Sequence, residues 1–98
     1  MTQNNKILAK KYQIFKVYLE ELLPQYNIIR NSENHIIYGK FVDIPQTCLD
    51  EIYATNIKFI DKTSQDNKIN FCYISCSIKE IYKGLSIIAQ IIDNFNTL

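Results

Sequence analysis

The stretch CSIKEIYKGLSIIAQIIDNF (76–95) leaves the chain little conformational choice. Ser77 and Glu80 stand three residues apart as S-x-x-E, the pattern in which serine and glutamate side chains reciprocally satisfy the free N–H groups at a helix start. From there Ile78, Ile81, Tyr82, Leu85, Ile88, Ala89, Ile92 and Phe95 keep helical spacing for roughly five turns. Immediately upstream, KINFCYIS (68–75) alternates as a strand, with Ile69, Phe71 and Tyr73 on one face. A strand must therefore hand over to a long amphipathic helix at Ser77. Gly84 falls inside that helix and costs about 1 kcal/mol relative to alanine there. A glycine at such a place marks a neighbour that packs too closely for a side chain.

The remaining elements follow from the same two periods. Residues 6–23 predict a helix, with Leu8, Phe15, Tyr18, Leu19 and Leu22 at helical spacing and Ile14 beside them. Asn4 or Asn5 is its candidate cap and Pro24 its stop. YNIIR (26–30) and HIIYGKFVDI (35–44) predict two strands joined as a hairpin through NSEN (31–34), and Gly39 suggests a bulge or a close backbone approach. TCLDEIYATN (47–56) predicts a short helix that buries Leu49, Ile52 and Tyr53. Thr47 and Asp50 form its capping-box-like pair, and Asn56 is a candidate left-handed end. IKFID (57–61) predicts a strand, and KTSQDN (62–67) a polar loop. The order α-β-β-α-β-β-α over residues 1–98 predicts a single α+β domain. Its architecture is a two-layer sandwich, a small mostly antiparallel sheet with helices packed on one face.

Charge and composition narrow the function classes. The formal net charge is +1 and Arg30 is the only arginine, which argues against nucleic acid and against an anionic membrane surface. No apolar run reaches the length of a membrane span. MTQNNKILAKKYQIF lacks the apolar core of a secretory signal. Three cysteines, Cys48, Cys72 and Cys76, are an odd number without framework spacing and fit a reducing cytoplasm. The wealth of isoleucine, asparagine and lysine suggests an AT-rich, bacterial or phage genome.

Candidate chemistry is sparse. Cys72 and Cys76 are four apart, and only Cys48 and His35 remain to complete a zinc site, so no metal is expected. Alternation places Cys72 and Cys76 on one strand face with Ile74, as small apolar fillers. His35, the sole histidine, begins a strand beside a turn, where exposure without a catalytic role is ordinary. Asp43, Asp50, Glu51 and Asp61 fall on different elements, and two glycines, Gly39 and Gly84, make no phosphate loop. Tyr12, Tyr18, Tyr53 and Tyr82 sit on helices at or near apolar faces. They suit a core rim, or an interface with a partner or a second copy.

INFCYISCSIKEIYKGLSIIAQII (69–92) resembles the C-terminal end of the fold-type I pyridoxal-phosphate aminotransferases. It is similar also to the aminotransferase-like half of MocR-type regulators. The carrying residues are Ser77, Glu80, Ile81, Gly84, Leu85, Ile88 and Ala89. Leu22, Leu23 and Pro24, and later Ile44 and Pro45, match the family's upstream order. The resemblance implies a small domain whose cofactor lysine, phosphate cup and stacking aromatic would all lie in a large domain that this chain does not contain. The family's substrate-carboxylate arginine would come from the strand before the last helix. Asn70, Phe71, Cys72, Tyr73, Ile74 and Ser75 stand there, none of them basic, and Glu33 and Asn34 replace a family glycine pair. A bidentate carboxylate clamp needs a guanidinium fork. The expectation is therefore a non-catalytic structural or interaction module, with no catalytic, cofactor-binding or metal residues and no cofactor of its own. It would act alone or complete a separately encoded pyridoxal-phosphate domain. The alternative is a small cytosolic, homodimeric binding or regulatory protein with the same layout. Protein partners or self-association are expected, without nucleic acid or membrane.

Overall fold

The computed structural model describes residues 2–31, 35–61 and 68–96, with side chains from residue 9 onward. Helix α1 (Thr2–Leu22) is followed by strands β1 (Tyr26–Asn31) and β2 (Ile36–Phe41), helix α2 (Gln46–Tyr53), strands β3 (Ile60–Asp61) and β4 (Asn70–Cys72), and helix α3 (Ile78–Asn96). The α+β order expected from the two periods is the order observed. The sheet is antiparallel throughout, in the order β1-β2-β4-β3.

Alternation gives the sheet one packed face. Tyr26 pairs with Phe41, Ile37 with Phe71, and Ile60 with Phe71, and all five are buried. The helices add Phe15 and Leu19 from α1, Leu49 and Ile52 from α2, and Ile81, Leu85, Ile88 and Ile92 from α3 to the same core. Ile69, Phe71 and Tyr73 share the buried face, as their spacing predicts. The hairpin register slips between Ile28 and Arg30, so Ile29 is the extra residue of a bulge next to the Ile28–Gly39 pair. Gly39 is a close approach as well: a Cβ there would run into the Tyr26 ring. That ring is tied down, because its hydroxyl donates to the Ile69 carbonyl at 2.6 Å, and burial pushes the phenol pKa up.

Several local expectations give way. α1 begins at Thr2, so Asn4 and Asn5 lie inside the helix and cannot cap it. α2 starts after Pro45 with no side-chain cap. Thr47 lies in its first turn, and Asp50 instead accepts from Gln46 Nε2 at 2.9 Å. Pro45, extended at φ −62° and ψ 149°, holds the boundary position, so Thr47 is already helical and its side chain cannot serve as the cap. The helix ends on Ala54 in the right-handed region, and Asn56 is not left-handed; the Ile52 carbonyl accepts from both the Thr55 N–H at 3.2 Å and Thr55 Oγ1 at 2.7 Å. The positive-φ residues among those described, glycines aside, are His35 (61°) and Asp43 (59°), one at each end of β2. Only Ile60 and Asp61 of 57–61 pair as strand, since Ile57 turns back so that the Ile60 N–H donates to its carbonyl. Residues 32–34 of the hairpin turn and the 62–67 loop lie outside the described residues.

The Ser77–Glu80 box forms as predicted. The Ser77 N–H donates to Glu80 Oε1 at 2.8 Å and the Glu80 N–H to Ser77 Oγ at 3.1 Å. The Ser77 backbone N–H, then its hydroxyl, then the Lys58 ammonium hold the Glu80 carboxyl below the usual glutamate range. Ser77→Ala is expected to cost about 1 kcal/mol in urea unfolding. A carboxyl lowered in the folded state contributes stability above the ordinary carboxylate range and loses it as pH falls through the lower, folded value. The acid-side fall in stability is therefore expected to be shallower in Glu80→Gln, measured by unfolding at a series of pH values.

Candidate interaction surface

The residues singled out for chemistry do not converge. Cys48 is fully buried on the inner face of α2. Cys76 is buried too, and not on the face of the exposed Ile74, because the chain turns between Tyr73 and Cys76, whose N–H donates to the Tyr73 carbonyl. Strand alternation cannot be carried through that turn. Burial raises the pKa of both thiols, with Glu51 adding to the effect at Cys48 and Glu80 to that at Cys76. Such thiols are poor nucleophiles. Cys72 is half-buried on the open sheet face. His35 is half-buried, and its ring lies 6.0 Å from that of Tyr73. Asp43, Asp50 and Glu51 are exposed and Asp61 half-buried, on separate elements. Among the described residues no three His, Cys, Asp or Glu side chains stand close enough to share a metal ion. The Arg30 guanidinium lies over the Tyr38 ring at 4.2 Å, on the outer side of the hairpin.

What stands out is an apolar surface on the helical layer. On α1, Phe15 and Leu19 point into the core, while Val17, on the opposite side, is 48% exposed with half-buried Ile14 and Tyr18 next to it. These side chains line a shallow depression of about 320 Å³ with Lys10 and Gln13. On α3, Tyr82 is 50% exposed, and Ile78 is open one turn before it. The Tyr18 and Tyr82 rings meet edge to face, 5.1 Å apart and inclined by 73°, so the strip runs unbroken from α1 onto α3. The tyrosines on the helices thus divide. Tyr53 is half-buried and its hydroxyl donates to the Lys68 carbonyl at 3.1 Å, and Tyr12 is a half-buried rim residue beside Tyr73. Tyr18 is half-buried against the core as well, and of the four Tyr82 alone is exposed.

Ile78 and Tyr82 share helical spacing with the core residues of the last helix yet are exposed, Tyr82 as one of the tyrosines expected at a rim or an interface, whereas Val17 was not singled out by the sequence. The missed signal was a β-branched residue on the far side of the first helix from Phe15, three residues after Ile14 and four before Glu21. A second hollow, of about 340 Å³, lies beside Gly84, between α3 and the Thr55–Phe59 turn, with Lys58, Lys83 and Glu80 at its rim. Lys58 and Glu80 approach to 3.8 Å across it, both well exposed. Such a pair is screened by solvent and contributes little. No helix among the described residues is long and apolar enough to cross a membrane. Comparison of the chain with family models, curated proteins and solved structures finds no match.

Proposed function

We propose that this chain is a non-catalytic interaction module, an aminotransferase-like small domain in layout, that docks another protein through the outer face of its helical layer. The observation that carries this is the strip in which exposed Val17, Tyr82 and Ile78 are joined by half-buried Ile14 and Tyr18 across the two helices. Contiguous apolar side chains rimmed by charge are the usual mark of a docking surface. Two of them are tyrosines, whose large, rigid rings suit interfaces. The engagement of Arg30 supports the non-catalytic half of the reading: its guanidinium is stacked on the Tyr38 ring, and β2 stands between its strand and β4, which carries part of the 70–75 segment where the family would place a carboxylate clamp. The free, mostly buried cysteines support a reducing, cytosolic setting. In the form the resemblance implies, the partner is a separately encoded pyridoxal-phosphate domain. A homodimeric binding protein is the second reading, and the distribution of charge along α1 favours it.

A photo-crosslinking residue placed at position 17 tests the docking surface, with position 29 on the β1 bulge as the control site. Adducts are expected from 17 and not from 29. No adduct from 17, or equal yields from both sites, overturns the reading. With one equivalent of pyridoxal phosphate, borohydride is expected to leave only scattered labelling of the surface lysines, and one lysine trapped far ahead of the others would remove the non-catalytic half.

A further inference from the structure

An apolar strip does not name its partner, but the charges at its ends do. Lys10, Ile14, Val17 and Glu21 follow one another at spacings of four, three and four residues, which keeps them in one row along a helix. The row faces away from Phe15 and Leu19. Lys10 and Glu21 are exposed at its two ends, and among the described residues neither makes an ion pair within the chain. The spacing is symmetric about the point midway between Ile14 and Val17, while the charges at the ends are opposite in sign.

We infer that the partner is a second copy of this chain, docked with the two α1 helices antiparallel about a twofold axis between Ile14 and Val17. This rests on the interaction-module reading above. An isologous contact must be complementary to itself, each residue meeting a counterpart across the axis and being met in return. Reversing the row sets Ile14 against Val17 of the second copy and Lys10 against Glu21 of the second copy, at both ends at once. Gln13 and Tyr18 flank the seam, and Tyr82 widens it from the neighbouring helix. Parallel docking instead sets lysine against lysine and glutamate against glutamate, which is repulsive at both ends. An unrelated partner would have to supply this row in reverse, and the chain already carries it.

The test is a charge swap read by size-exclusion chromatography with light scattering. The wild-type chain is expected at twice 11.5 kDa at concentrations of about 100 μM, an ordinary range for a modest interface. Lys10→Glu puts like charges at both ends of the seam, and so does Glu21→Lys. Each alone is expected to weaken the dimer at least ~10-fold, with the circular dichroism of the folded chain unchanged, since both side chains are exposed. An equimolar mixture of the two variants restores opposite charges at both ends and is expected to return to the dimer mass. The chain carrying both substitutions is expected to remain a dimer, which covers the case in which one single variant fails to fold. A wild-type chain at 11.5 kDa throughout, single variants that stay dimeric, or a mixture that stays monomeric each overturn the proposal. The crosslinker at position 17 separates the two levels. An adduct of any mass other than twice that of the chain keeps the module and overturns the second copy, and no adduct overturns both.

Discussion

Phe71→Ala is expected to remove about 3–5 kcal/mol of folding stability, the usual cost of emptying a buried aromatic site. Phe71 lies on β4, an inner strand, opposite Ile37 of β2 and Ile60 of β3, and is fully buried. Its ring lies 4.8 Å from that of Tyr26, 5.5 Å from Phe59 and 5.6 Å from Phe15, so strand, turn and helix all lean on it. The neighbours cannot easily close the gap. Tyr26 is held by its hydroxyl on the Ile69 carbonyl, and Phe59 is wedged against Gly84. A domain of this size holds only about 5–15 kcal/mol in total. The thermal midpoint is accordingly expected to fall by roughly 12 °C or more. Urea unfolding checks the figure, with the midpoint dropping and the slope unchanged. A loss under about 1 kcal/mol would contradict a keystone role for this ring.

Gly84→Val should be the next most damaging change, at about 3 kcal/mol. A Cβ at position 84 would collide with the Phe59 ring, whose Cζ stands 2.6 Å from that point, and would reach Ile57 Cγ2 at 3.0 Å. Phe59 is itself buried and cannot swing away. Overpacking of this kind costs about 1–3 kcal/mol, and a β-branched residue adds a second branch to fit. Gly84→Ala gains about 1 kcal/mol of helix propensity, which offsets part of the strain and leaves a net loss of about 0–2 kcal/mol. The cause is separable by a double-mutant cycle. Phe59→Leu makes room, so Gly84→Ala in that background is expected to cost less than alone, with a coupling above about 0.5 kcal/mol. Strict additivity would mean that the ring is not what excludes a side chain there.

The features that proved legible were those in which neighbours in sequence supply the whole interaction. The Ser77–Glu80 box closes over three residues, and its two hydrogen bonds need nothing from elsewhere. The alternation of Ile69, Phe71 and Tyr73 is likewise a property of one strand. Thr47 and Asn56 show where such reasoning ends. Each was suited to its cap, but Pro45 and Ala54 occupy the helix boundaries in their place. The glycines were half legible: tight quarters could be inferred at 39 and 84, but not that Tyr26 and Phe59 fill them. The candidate surface was least legible, because Ile78 and Tyr82 have the spacing of core residues, and exposure depends on where α1 stops covering α3.

From its residues alone, then, this chain determines an α+β order, a capped terminal helix and a single packed sheet face. These rest on periods and contacts spanning a few residues. Only the tertiary arrangement decided that Tyr18 meets Tyr82, that Cys76 leaves the strand face for the core, and that Val17 faces outward beside an open apolar strip. Those outcomes depend on distances between segments far apart in the chain, and a helical or strand period carries no information about which segment will lie across from it.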